Sequence, residues 1–136
     1  IPSSRLTMDE LLKQVGYAAA CIGKWPLGFD DPYLPKHKGF DHYFGIMHNQ
    51  DSWEVSHFED QGGMPLLRNE EVVQRDPDPG TLTRLYTEEA IAWVEKVSST
   101  NEEKNNGDPF FLYLPHTMLH HPFCIGREIL AHGTHR

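Results

Sequence analysis

Apolar residues recur at helical spacing in two stretches of the chain and form short unbroken runs in others, which lays out an order of helices and strands. Met8, Leu11, Leu12 and Val15 fall three and four residues apart, so the spacing predicts a short helix over 8–15 with these residues on one apolar face. Thr7 and Glu10 stand at capping-box positions, where hydroxyl and carboxylate satisfy free backbone donors of the first turn. Leu6 and Leu11 hold the staple positions, and Gly16 is placed to end the helix in a left-handed conformation. Next, 17–23 (YAAACIG) is a compact apolar run, short enough for a buried strand. From Pro26 to Gly63, Gly, Pro, Asp and His come at close intervals, the composition of a long ordered or functional loop. Residues 64–75 (MPLLRNEEVVQR) hold two short apolar stretches around Arg68-Asn69-Glu70, a hairpin pattern. After the breaking stretch DPDPGT, with Thr81 as cap, Leu85, Tyr86, Ala90, Ile91, Trp93, Val94 and Val97 mark an amphipathic helix from Leu82 to Val97. SSTNEEKNNGD then reads as a polar, solvated connection, and 109–115 (PFFLYLP) as a buried strand between prolines. This order is α/β, with 17–23 and 110–114 in a largely parallel sheet flanked by helices. The sequence holds no internal repeat and no low-complexity tract.

Composition narrows the class. With 136 residues, 38% of them hydrophobic, the chain suffices for one modest core. A net charge of −8, with no clustered Lys and Arg, argues against nucleic acid as a partner, because phosphate neutralisation needs such clusters. No run approaches the roughly 20 apolar residues of a membrane-crossing helix, and none in the first ten residues resembles a leader. Cys21 and Cys124 form no C-x-x-C pair and therefore imply neither a zinc framework nor a disulfide scaffold. They read as core or surface thiols.

Ligands of open α/β sheets gather beyond the carboxyl ends of parallel strands. Lys24 follows the first such strand directly, and PHTMLHHP, with His116, His120 and His121, follows the last. Together they make a cationic, proton-donating edge suited to an anionic oxygen ligand such as sulfate or phosphate. A solvated strand end is the competing reading of Lys24. His116 and His120 are four apart, yet Pro115 and Pro122 flank them and no glutamate follows the first, so the zinc-protease pattern fails. His132 and His135 lie in a polar tail and read as solvent-facing. No metal ligand set is assigned to this chain.

These residues also carry a resemblance. GYAAACIGKWPLG, Gly16 to Gly28, is similar to the G-Y-x-T-x-x-x-G-K-W-H-L-G signature of the sulfatase family, with its spacing intact. YLPKHKGFDHYFGI resembles the loop that follows this signature in arylsulfatases, PLLRNEEVVQR their short hairpin, and DPFFLYLPHTMLHHPF their strand and histidine loop. The resemblance covers about Ser3 to Phe123. It implies an alkaline-phosphatase-like α/β fold, with 1–123 a partial catalytic domain and 124–136 a divergent or disordered tail. It also implies hydrolysis of a sulfate monoester, on a small molecule or a glycan, at a divalent metal, usually calcium (Ca2+). The family's nucleophile is a formylglycine hydrate made from a C/S-x-P-S/A-R motif, and its members are commonly lysosomal, secreted or periplasmic. Lys24 matches the lysine that contacts the sulfate group and the hydrated nucleophile. His120, two residues before Pro122, matches the histidine near the scissile ester oxygen.

Departures from the family pattern set a further expectation. The histidine that holds the nucleophile's hydroxyl is replaced by Pro26, which can neither donate nor accept that hydrogen bond. The nucleophile motif and its neighbouring metal carboxylates are absent, as are the downstream Asp-Asn pair and second lysine. IPSSR at 1–5 lacks Cys or Ser two residues before Pro2 and lies too near the signature. The expectation is a central piece of an arylsulfatase-like enzyme, inactive alone and not binding calcium tightly. The alternatives are a non-catalytic homologue that keeps anion binding through Lys24 and His120, and a histidine-based metal-binding module.

Overall fold

The computed structural model describes residues 5–28, 30–47, 58–104 and 109–118. A single five-stranded sheet organises them: β1 (Ala18–Ile22), β2 (His42–Ile46), β3 (Pro65–Arg68), β4 (Glu71–Arg75) and β5 (Phe110–Tyr113), in spatial order β4-β3-β2-β1-β5. β1 lies parallel to both neighbours, with Ala20 opposite His42 and Ala18 opposite Phe110. β3 and β4 form an antiparallel hairpin that extends the sheet beyond β2. The expected parallel pairing of the two apolar runs is therefore direct.

Two helices flank the sheet, α1 (Met8–Gln14) and α2 (Leu82–Lys104). Leu82, Tyr86, Ala90 and Trp93 of α2 are buried against Ala20, Ile22, Phe44, Ile46 and Leu66. Each large apolar side chain buried there contributes about 1.5–3 kcal/mol. The opposite face is closed by Ala19, Cys21, Trp25, Phe40, Tyr43 and Met47. At the start of α2, the Asp78 carboxylate accepts the Gly80 N–H at 2.9 Å and the Thr81 hydroxyl donates to the Asp78 carbonyl at 2.7 Å.

Three sequence expectations need correction. First, β2 lies inside the stretch read as loop. Its Gly45 disguised it, and that glycine is required, because a Cβ there would stand 1.7 Å from the Gly23 carbonyl oxygen. Second, α2 runs through Lys104, beyond Val97, because an established helix adds polar helix formers such as Glu and Lys at little cost. Third, α1 has its expected cap, the Thr7 N–H donating to Glu10 at 2.6 Å, yet its apolar side does not face a core. Met8, Leu11 and Val15 are 61%, 50% and 68% exposed, while Asp9 is buried. Burial pushes the Asp9 carboxyl above the usual carboxylate range. A cavity of about 330 Å³, lined among others by Leu6, Met8, Trp25, Phe40 and Tyr113, opens beside it.

The hairpin turn gains a definite form. Asn69 adopts φ +56°, a left-handed conformation that asparagine tolerates, and is clamped to β2. Its N–H donates to the Tyr43 carbonyl at 2.7 Å, and its side-chain oxygen accepts the Tyr43 N–H at 3.0 Å.

Candidate functional site

β1, β2 and β5 run parallel, so their carboxyl ends share one edge of the sheet. Past β1 the backbone keeps the alternating ladder of a strand. The Gly23 N–H donates to the Phe44 carbonyl at 2.8 Å, the Lys24 N–H to the Pro115 carbonyl at 2.8 Å and the Trp25 N–H to the Ile46 carbonyl at 2.9 Å. Gly23 is obligatory there: its φ is +133°, and a Cβ would lie 2.2 Å from the Pro115 oxygen. The buried Tyr43 hydroxyl donates to the Gly23 carbonyl at 3.4 Å.

Trp25 anchors the next residue pair. Its ring is buried edge-on against Phe40, with centroids 5.8 Å apart, and its indole N–H donates to the Tyr33 carbonyl at 2.9 Å. Lys24, on the other side of the alternation, is half-buried. Among the described residues its ammonium has no hydrogen bond or ion pair. Lys24 is thus a cation on a backbone tied to both neighbouring strands, with no carboxylate in contact among the described residues. Pro26 is exposed and offers the edge no hydrogen bond.

His116 reaches the same edge after β5. Its ring lies 6.2 Å from the Tyr86 ring, and its Nδ1 is sealed from solvent with no hydrogen-bond partner among the described residues. Thr117 follows, buried, its hydroxyl also without a partner among the described residues. His120, His121, Cys124, His132 and His135 lie outside the described residues. Cys21 is buried within β1, where burial drives its thiol pKa far up, so it is an inert core thiol. Among the described residues no group of three or more His, Cys, Asp or Glu could hold a metal ion. The described residues thus do not fit a calcium site.

One polar cluster escaped the sequence reading. At the amino end of β2, the His42 Nε2 lies 2.9 Å from the Glu89 carboxylate, which also accepts from Arg68 at 2.6 and 3.1 Å. Burial alone would raise the Glu89 pKa, but Arg68 and then His42 outweigh it and hold the carboxyl below its usual value. The cluster joins α2, β2 and β3 at the end of β2 opposite the Lys24 edge. Three residues scattered over the chain carry no spacing signal that would have revealed it.

The Sulfatase family model matches residues 1–128. The chain belongs to the sulfatase family. It is 30% identical to arylsulfatase G of Canis lupus familiaris over 147 residues, covering 90% of this chain and 26% of that protein. To N-acetylgalactosamine-6-sulfatase of Mus musculus it is 30% identical over 138 residues, covering 96% and 25%. It spans about a quarter of the length of these curated relatives. Among solved structures, that of Ps i-CgsB in complex with k-i-k-neocarrahexaose superposes with a TM-score of 0.73 at 25% identity, covering 97% of this chain and 30% of that one. The PsFucS1 sulfatase from Pseudoalteromonas sp. superposes at 0.66 with 19% identity, over 91% of this chain and 28% of that one. The fold is the α/β, alkaline-phosphatase-like fold of this family.

Proposed function

We propose that this chain is the central part of a sulfuric ester hydrolase, residues 1–123 belonging to its catalytic domain and 124–136 forming a divergent tail, with Lys24 holding the sulfuryl oxygens. The observation that carries this is the Lys24 ammonium, half-buried and without an ion-pair or hydrogen-bond partner among the described residues, on a backbone fixed at 2.8 Å to the β5 side. Placed there, the ammonium stabilises negative charge on the transferred group's oxygens as the ester bond breaks. His120, carried over from the family motif, protonates the leaving oxygen. The substrate is a sulfate monoester, and the relation to an N-acetylgalactosamine-6-sulfatase and to a protein solved with a neocarrahexaose favours a sulfated glycan.

The family's calcium supplies Lewis-acid polarisation of the sulfate oxygens, but the described residues offer no cluster to hold it and no step here depends on it. Formylglycine has no precursor motif in this sequence, and Cys21 is sealed in the core. The isolated chain therefore binds a sulfate ester without turning it over. Pro26 favours a second reading for any longer protein that carries this segment: a sulfatase homologue that keeps the anion site and has lost the chemistry.

An assay of the pure chain with 4-nitrophenyl sulfate and added calcium tests the reading. Hydrolysis stays at the buffer rate, while the ester binds and Lys24→Gln weakens binding by about tenfold or more, the loss of a charge-assisted hydrogen bond. Turnover abolished by Lys24→Gln, or binding indifferent to that substitution, contradicts it.

A further inference from the structure

The sequence groups His116 with Lys24 at one edge, and the proposed function gives it no role of its own, yet the sheet brings it to the side of Lys24. Cys21 of β1 stands opposite Tyr113 of β5, and the ladder continues beyond both strands through the Lys24 N–H and the Pro115 carbonyl. Three residues on, the same register sets Lys24 beside His116. Side-chain alternation gives the face. Ala20 and Ile22 of β1, and Leu112 and Leu114 of β5, pack on the α2 side, so residue 24 continues the row on that side, while the His116 N–H turns back to the Leu114 carbonyl at 3.1 Å and the ring is placed by what it touches. The contact of the His116 ring with Tyr86 of α2, 6.2 Å between centroids, agrees.

The protonation of the ring follows from its surroundings. Nδ1 is sealed, and neither ring nitrogen has a hydrogen-bond partner among the described residues. A proton on Nδ1 would bury an unpaired donor, so the tautomer that fits these surroundings carries its proton on Nε2. That leaves the ring's N–H donor on Nε2, on the α2 side of the sheet that Lys24 shares. Resting on the anion-binding reading of Lys24, we propose that His116 is a second binding residue of the same site, its Nε2–H donating to an oxygen of the tetrahedral sulfate group that Lys24 holds. Lys24 supplies charge without direction, and a ring fixed against Tyr86 adds a directed donor that orients the sulfate before reaction.

The test is a titration of the 15N-labelled chain with sodium sulfate, and separately with phenyl sulfate, at constant ionic strength, following the imidazole nitrogens by NMR. The His116 Nε2 signal moves on binding and the Nδ1 signal moves less. His116→Phe keeps a ring against Tyr86 but removes the donor, and weakens binding about tenfold or more. His116→Gln places an amide N–H near the position of Nε2 and stays within about threefold of the parent, whereas His116→Asn mimics Nδ1 and behaves as Phe. Should the Phe variant fail to fold, as judged by the Tyr86 resonances, the Gln and Asn pair decides the matter. Unchanged affinity in both Phe and Asn variants, with binding still lost in Lys24→Gln, overturns the role of His116 and leaves the Lys24 reading standing. Equal loss in Gln and Asn also overturns it. Absence of any sulfate-dependent shift in the parent chain overturns both.

Discussion

At the scale of residues, the chemistry of the edge rests on four neighbours with separate tasks. Gly23 lets the backbone pass within reach of β5, Lys24 presents charge, Trp25 fixes the segment in the opposite core, and Pro26 leaves a hydrogen bond unmade. The strand end that carries Lys24 was legible in the sequence because an apolar run precedes it and its spacing matches a family signature. His42, Arg68 and Glu89 were not, because their meeting depends on how α2 crosses the sheet. The Pro26 substitution makes a prediction for a longer protein that supplies the nucleophile. There Pro26→His restores a hydrogen bond to a charge-developing group, worth about 1.5–3 kcal/mol, so kcat rises by roughly 10–150-fold. Steady-state rates on an aryl sulfate, with metal content matched, check this, and an unchanged rate removes Pro26 from the account.

At the scale of elements, hydrophobic period located both helices, the hairpin and the two strands at the site, and failed where local rules were overridden. β2 carries a glycine because its neighbour's carbonyl leaves no room for a Cβ, and that exception hid the strand. The apolar residues of α1 have the correct spacing but stand exposed, since period reports which residues share a face and not what covers it. The Glu89 cluster ties three elements, so its loss should register in stability. Glu89→Gln lowers unfolding free energy by about 1–2 kcal/mol, a figure reduced because Arg68 is about half exposed, and urea titration checks it. Its pH dependence has a definite sign. Glu89 is held below its ordinary 4.5, so its contribution is present above that value and is lost as pH falls through the folded pKa. Burial holds His42 below its ordinary 6.5, so the unfolded chain takes up that proton first and stability declines as pH drops below 6.5. Both groups weaken the fold on the acid side. In Glu89→Gln the loss between pH 5 and pH 3 is smaller than in the parent chain; an equal or larger loss contradicts the assignment.

At the scale of the whole molecule, α1 and the residues that flank it leave Leu6, Met8, Leu11 and Val15 exposed, and the β4 and β5 edges have no further strand among the described residues. Exposed apolar rows and unpaired strand edges promote association. The chain is expected to self-associate at micromolar concentrations, and Leu11→Glu with Val15→Glu shifts sedimentation toward monomer without lowering the unfolding midpoint; a parent chain that sediments as monomer and melts sharply contradicts this. The sheet's parallel core brings Lys24 and the β5 loop to one edge, whatever covers the rest of the surface. The claim that this edge receives a sulfate group is the centre of the account, and it is tested most directly by locating the anion. Crystals of the chain grown with selenate, a sulfate analogue with an anomalous signal, should show a selenium peak whose oxygens lie about 3 Å from the Lys24 Nζ. A peak there that vanishes in Lys24→Gln is the predicted result, and selenate found only at other cations such as Lys13 or Arg84 would contradict it.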